Sequence, residues 1–166
     1  RLERRFCFRK VSPMNIASLL ARAALSRPDN IALMTGLKPH ATYRAFAARS
    51  GAIARWLTET AGLRPGDRAG FAMTNTVAFE EILFGCWIAG LTAVPINAKL
   101  HPKEFAYILE NSGARICFAT DDLADALAGV MDGAGKRSYA MAALRYECDN
   151  VANAAHRTRN DTLNKA

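Results

Sequence analysis

The sequence lacks most of the patterns that announce a chemistry on their own. No apolar run approaches the 18 or so residues of a membrane-spanning helix, so no transmembrane segment is expected. GxGxxG is missing, which argues against a dinucleotide-binding unit. The four cysteines, Cys7, Cys86, Cys117 and Cys148, include no CxxC pair of the kind that supplies zinc ligands. Cys86 falls on an apolar helical face and Cys117 inside a strand-like run, so both read as small core hydrophobes in a reducing, cytoplasmic setting. The three histidines, His40, His101 and His156, are scattered, and none has a metal or triad partner at motif spacing. Asp121 and Asp122 read as a helix start, not an acid–base pair. The nearest phosphate-loop lookalike is Gly133–Lys136. A Walker loop would need Gly at 130 and Ser or Thr at 137, where Val130 and Arg137 stand. No catalytic residue and no metal ligand is therefore assigned.

Charge is abundant but confined. The net charge is +7, yet residues 1–13 hold five basic groups against one acid and residues 133–166 six against three. Residues 14–132 hold eleven of each. A phosphate-backbone footprint should be a patch on the folded body, so no nucleic-acid partner is expected.

What is present is an alternation of helix and strand signals, densest over Phe79–Phe118. Phe79, Ile82, Leu83, Cys86 and Trp87 recur at helical spacing, with Asn75 or Thr76 as cap and Glu80 and Glu81 early, where the helix dipole favours negative charge. Gly90 stops this helix, and Thr92–Ile96 has the length and branching of a buried strand. Pro102 opens a second helix with Phe105, Ile108 and Leu109 inward, Asn111–Gly113 end it, and Arg115–Ala119 reads as the next strand. Strands joined through helices by tight turns imply parallel pairing with right-handed crossovers.

Upstream, Asn15 caps a helix whose expected buried face is Ile16, Leu19, Leu20, Ala23 and Ala24. Asn30–Thr35 reads as a strand and Gly36–His40 as a turn. Thr42 caps a helix with Phe46, Ile53 and Leu57 inward and Arg44, Arg49 and Arg55 outward; Tyr43 and Trp56 read as core. Gly62–Asp67 is a turn with Pro65 and Gly66 at its centre, leading to a strand from Arg68 to Met73. Asp121 is expected to cap a helix from Leu123 to Val130. Beyond Asp132 no strand-length apolar run remains, so residues 133–166 are expected to form an unrelated, poorly ordered basic tail. Residues 1–13 are expected to be translated upstream sequence, with Met14 the natural start.

Three segments carry a family resemblance. AGLTAVPINAKLHPKEFAYILENSGA at 89–114, ATYRAF at 41–46 and LRPGDRAGFAMTNTVAFEE at 63–81 occur in the order and spacing of AMP-forming acyl-CoA synthetases, the adenylate-forming ligases. The resemblance covers about Met14–Met131 and implies an α/β fold, the N-terminal part of the large domain, built from parallel βαβ units and incomplete. It implies for the intact protein an ATP-dependent activation of a carboxylic acid to an acyl-adenylate, with Mg2+, followed by thioester formation with CoA. Asn97-Ala98-Lys99-Leu100 stands where the family has Asn-x-Arg-Leu. Lys99 by itself reads as a solvated loop lysine, while the resemblance implies a contact with the nucleotide end of CoA. Lysine there keeps the charge but loses the bidentate geometry of arginine.

The family's Ser/Thr/Gly-rich phosphate loop ending in Lys, its magnesium-binding acid, its ribose-binding Asp and its C-terminal Lys are not found in the sequence. The chain alone is therefore expected to be inactive and to need no cofactor. The alternatives are a fragment of a peptide synthetase adenylation domain, whose corresponding strand is more often followed by Asp than by Asn97, and a non-catalytic module that self-associates through an exposed sheet edge.

Overall fold

The computed structural model describes residues 15–120, 122–123 and 137–140, the last four through their backbone. Among the described residues, four α-helices, a π-helical turn (Trp56–Thr60) that continues α2, and six strands follow one another: α1 (Ala17–Ser26), β1 (Ile31–Thr35), β2 (Lys38–Thr42), α2 (Tyr43–Arg55), β3 (Arg68–Ala72), α3 (Val77–Ile88), β4 (Thr92–Ile96), α4 (Pro102–Ser112), β5 (Ile116–Ala119) and β6 (Arg137–Ala140). β3 to β6 form one sheet in the order β4-β3-β5-β6, and every pairing in it is parallel. β1 and β2 form a separate antiparallel hairpin.

Alternation along β3 and β5 shows which helix covers which face. Ala69, Phe71, Ile116 and Phe118 share a cluster with Ile82 and Cys86 of α3. Ala72, Cys117 and Ala119 share another with Phe105 and Leu109 of α4. Successive strand residues point to opposite faces, so α3 and α4 lie on opposite sides of the sheet. Phe71 is the centre of the α3 layer: it is fully buried, with its ring centroid 5.4 Å from Phe79 and 5.6 Å from Phe118. Burying one such side chain is worth about 1.5–3 kcal/mol.

The helix ends follow the sequence signals. Gly90 has φ +75°, its N–H reaches the Trp87 carbonyl at 3.1 Å, and the Leu91 N–H reaches the Cys86 carbonyl at 2.8 Å. This paired return of two donors closes α3 and aims the chain into β4. A β-carbon at Gly90 would sit 3.1 Å from Pro65 Cβ. Gly90→Val is therefore expected to lower stability by about 2 kcal/mol, from left-handed strain and crowding together. Lys99→Ala, on an exposed loop, should stay within about 0.5 kcal/mol. Urea midpoints of the two variants check this, and equal small shifts would refute it.

Several expectations are corrected. The hairpin turn is only Gly36–Leu37, since Lys38 and Pro39 already pair with Thr35 and Met34 in β2, which also contains His40 at a register shift. α1 buries Ala17 and Leu20, while Ile16 and Leu19 are 49% and 57% exposed. Ile16 is at the N-cap, outside the helix, and the small Ala17 lets α1 approach its neighbours closely. α3 has no simple one-sided face: Ala78, Glu81, Ile82, Gly85 and Cys86 are buried, whereas Phe79, Leu83 and Trp87 are half-buried. It is covered by the sheet on one side and by α2 on the other, so helical periodicity could not choose a side. β5 begins at Ile116 instead of Arg115. Strand β6 was not expected, because Arg-Ser-Tyr-Ala is short and mostly polar; it pairs with β5 from Ile116↔Arg137 to Ala119↔Ala140. The expected helix from Leu123 to Val130 and the Gly133–Lys136 stretch lie mainly outside the described residues.

Both described cysteines are buried on opposite faces of the sheet, as expected of core residues. Burial pushes the Cys117 thiol up to about 11 and raises that of Cys86 as well. No helix among the described residues is long and apolar enough to cross a membrane.

Candidate functional site

The chain runs from β3 outward to β4, then back across β3 to β5. Reversing direction in this way opens a crevice between the carboxyl ends of β3 and β5, where open α/β sheets place ligands. Met73–Thr76 after β3 and Thr120 after β5 stand at this point, and Asn97–His101 follows β4 at the same carboxyl edge of the sheet.

Thr76 takes the N-cap position of α3, and Asn75 is exposed beside it. After β4, the Asn97 side-chain oxygen accepts from the Lys99 N–H at 3.0 Å, and its carbonyl accepts from the Leu100 N–H at 3.2 Å. This turn holds Lys99 out from the surface with an exposed side chain.

His101 then caps α4. Its Nδ1 accepts from the Lys103 N–H at 3.3 Å, while Glu104 Oε2 accepts from the His101 N–H at 2.9 Å. Sequence reading missed this use of His101. The signal was available, since a polar residue followed by Pro and then by Glu three positions on has capping-box spacing. At β5, the Thr120 N–H reaches the Ala72 carbonyl at 3.4 Å, binding the two sides of the crevice together. Thr120 is buried, and its hydroxyl has no hydrogen-bond partner among the described residues.

At the opposite edge of the sheet a different cluster is structural. Asp67 Oδ2 accepts from the Arg64 N–H and from Arg115 Nη1, both at 2.8 Å. The Arg64 hydrogen bond is the main reason the Asp67 carboxyl titrates below its ordinary value, with Arg115 adding to it against the opposing effect of desolvation. The clamp ties the turn before β3 to the start of β5.

A second cluster joins the hairpin to the helical layer. Glu81 was expected as an early charge on α3, favoured by the helix dipole. It is buried, and Arg49 of α2 reaches its Oε1 at 2.9 Å. His40 of β2 stands 3.2 Å from Arg49 Nη1 and 3.9 Å from the same oxygen.

The described residues by themselves do not fit a magnesium triphosphate. No group of three His, Cys, Asp or Glu among the described residues could hold a metal ion, and the first donors of α4 are already occupied by its own cap. The structure brings Lys99 to the carboxyl side of the sheet but gives it no charged partner among the described residues.

The fold and the order of its segments agree with one protein family. The family model described as "AMP-binding enzyme" matches residues 20–164, and the chain belongs to that family. The chain is 40% identical over 81 residues to the fatty acid–[acyl-carrier-protein] ligase ScoC of Streptomyces coeruleorubidus, a match covering 49% of this chain and 15% of the relative. It is 34% identical over 91 residues to a long-chain-fatty-acid–CoA ligase of Escherichia coli O6:H1, covering 55% of this chain and 16% of that one. The solved Mycobacterium tuberculosis fatty acyl CoA synthetase superimposes with a TM-score of 0.73 at 26% identity, over 81% of this chain and 28% of that chain. The chain thus spans less than a fifth of the curated relatives named here and matches the N-terminal domain of adenylate-forming ligases.

Proposed function

We propose that this chain is the N-terminal part of the large domain of a ligase that activates a carboxylic acid with ATP and Mg2+ and passes the acyl group to CoA. One observation carries the reading. The two longest family segments cover β3 with the start of α3, and then β4 with α4, so that both lie on one parallel sheet with the β3–α3 and β4–α4 loops at its carboxyl edge.

In this reading residues 14–132 are ligase-derived, and the family match to residues 20–164 extends that derivation into the segment after them. Lys99, held outward by Asn97, faces the nucleotide phosphates of CoA during thioester formation as a point charge. The enzyme works in the cytoplasm. The chain alone does not form an acyl-adenylate, because its sequence has no flexible Ser/Thr/Gly loop ending in Lys to wrap the triphosphate.

Self-association through an open edge, the route open to a non-catalytic module, meets an obstacle at β4. The Thr92 N–H bonds the Asp67 carbonyl, so Thr92, Val94 and Ile96 face β3 while Ala93 and Pro95 face outward. Proline has no N–H to offer there, which blunts the edge.

The test exchanges the corresponding segment of the Escherichia coli long-chain-fatty-acid–CoA ligase for residues 20–123 of this chain. The expected result is a folded chimera that retains ATP–pyrophosphate exchange, while the isolated 166-residue chain shows none. Lys99→Ala in the chimera should raise KM for CoA and leave the exchange half-reaction unchanged. A folded chimera without exchange, or exchange by the isolated chain, would overturn the proposal.

A further inference from the structure

The His40–Arg49–Glu81 cluster lies outside the ligand edge and serves no step of the proposed reaction. It joins three separate elements, β2, α2 and α3, around one buried carboxylate. The 3.2 Å contact between Arg49 Nη1 and His40 Nε2 fixes the chemistry of the ring. Guanidinium has donors and no acceptor, so Nε2 must be the acceptor and the imidazole proton must sit on Nδ1.

A second proton on the ring would place an N–H on Nε2. That atom would then face the Arg49 donor at 3.2 Å with nothing to accept, and would lie 3.9 Å from Glu81 Oε1, an acceptor within a small rotation. The His40 side chain is 34% exposed and open to protons, whereas that of Glu81 is 8% exposed. Arg49 is about half exposed and free to move toward solvent.

We propose that the cluster is a proton-operated latch. With neutral His40, Arg49 bridges the hairpin and the buried carboxylate, tying β2 and α3 together through α2. Once His40 is protonated, the Arg49–imidazole contact breaks and the histidinium bonds Glu81 directly, tying the hairpin straight to α3.

The charged groups in contact with the ring are Arg49 from α2 and Glu81 from α3. The other charged residue of β2, Lys38, is exposed, β1 has none, and Arg44 at the start of α2 is engaged with Asp29 at 3.2 Å. The proton acts on a geometry in which one imidazole nitrogen either accepts from a cation or donates to an anion.

The test is nitrogen-detected NMR of the full chain, titrated from pH 8 to pH 5.5. At pH 8 His40 should show the Nδ1–H tautomer. The Glu81 carboxyl carbon and the Arg49 side-chain nitrogens should shift with the same midpoint as the ring. Hydrogen exchange across the β1–β2 hairpin, corrected for intrinsic rates, should change about two- to tenfold over this range, the effect of exchanging one hydrogen bond for another. In His40→Gln that change should vanish. A neutral ring in the Nε2–H tautomer, Arg49 nitrogens that do not follow the ring, or the same hairpin response in His40→Gln would each overturn the latch.

Discussion

Gly85→Val should be the most damaging single substitution in α3, lowering stability by about 3 kcal/mol. A β-carbon at this position would lie 2.6 Å from Ile53 Cγ2, 2.9 Å from Ile53 Cβ and 3.2 Å from the backbone carbonyl of Ser50. Two of these three atoms cannot swing aside, because one is the root of a β-branched side chain and the other belongs to the α2 backbone. The helices must therefore separate. Ile53, Trp56 and Leu57 on one side and Ile82 and Cys86 on the other would then lose their packing together.

For a domain of ordinary stability this is a fifth to more than half of the total, and it should move the urea midpoint by at least about 1 M. A double-mutant cycle identifies the cause. Ile53→Ala alone should cost about 2–5 kcal/mol by leaving a cavity. In a Gly85→Ala background it should cost far less, because the new methyl group occupies part of that space. Strict additivity would show that the helices are not in contact at this point.

Arg49→Ala is the second large effect, expected at about 1–3 kcal/mol at pH 8. Ion pairs at surfaces are usually worth little, and Arg44 with Asp29 is such a pair, with side chains 61% and 84% exposed; Arg44→Ala should cost under about 1 kcal/mol. Arg49 differs because its partner is buried. Removing the guanidinium leaves the Glu81 carboxylate out of water without a cation, although the half-exposed position of Arg49 keeps the cost below that of a fully buried pair.

If the latch operates, a protonated His40 supplies the missing charge, so the deficit should be smaller at pH 5.5 than at pH 8. Urea denaturation of both arginine variants at the two pH values measures this. Equal costs for Arg44→Ala and Arg49→Ala would show that Glu81 is solvated after all.

Features governed by neighbours in sequence were legible in the sequence. Gly90 adopts a positive φ because α3 ends at Ile88 with Ala89 as its C-cap, and Pro102 with Glu104 marks the start of α4 through groups within three residues of each other. Thr92–Ile96 is a strand because three of its five residues, Thr92, Val94 and Ile96, are β-branched, and a glycine two residues before it and an asparagine after it bound the run. Three family segments in order then fixed the ligase assignment, since spacing along the chain survives whatever the side chains do in space.

Features requiring a partner from far along the chain were not legible. Glu81 looks like any first-turn carboxylate until α2 brings Arg49, 32 residues earlier, to within 2.9 Å. Leu19 of α1 and the N-cap Ile16 point outward because the face of α1 that is covered carries Ala17 and Leu20, and β6 exists because β5 offers an unpaired edge to a segment whose own residues have weak strand preference. The crevice at Thr120 has the same origin. Its position depends on β5 returning across β3, and that crossing is a property of the folded sheet, set when α3 and α4 take opposite faces to bury Phe71 and Leu109. Sequence alone determined the elements and the family, because their causes are local. Tertiary structure decided which charge is buried, which face is covered and where the ligand edge opens, because those depend on contacts between residues tens of positions apart.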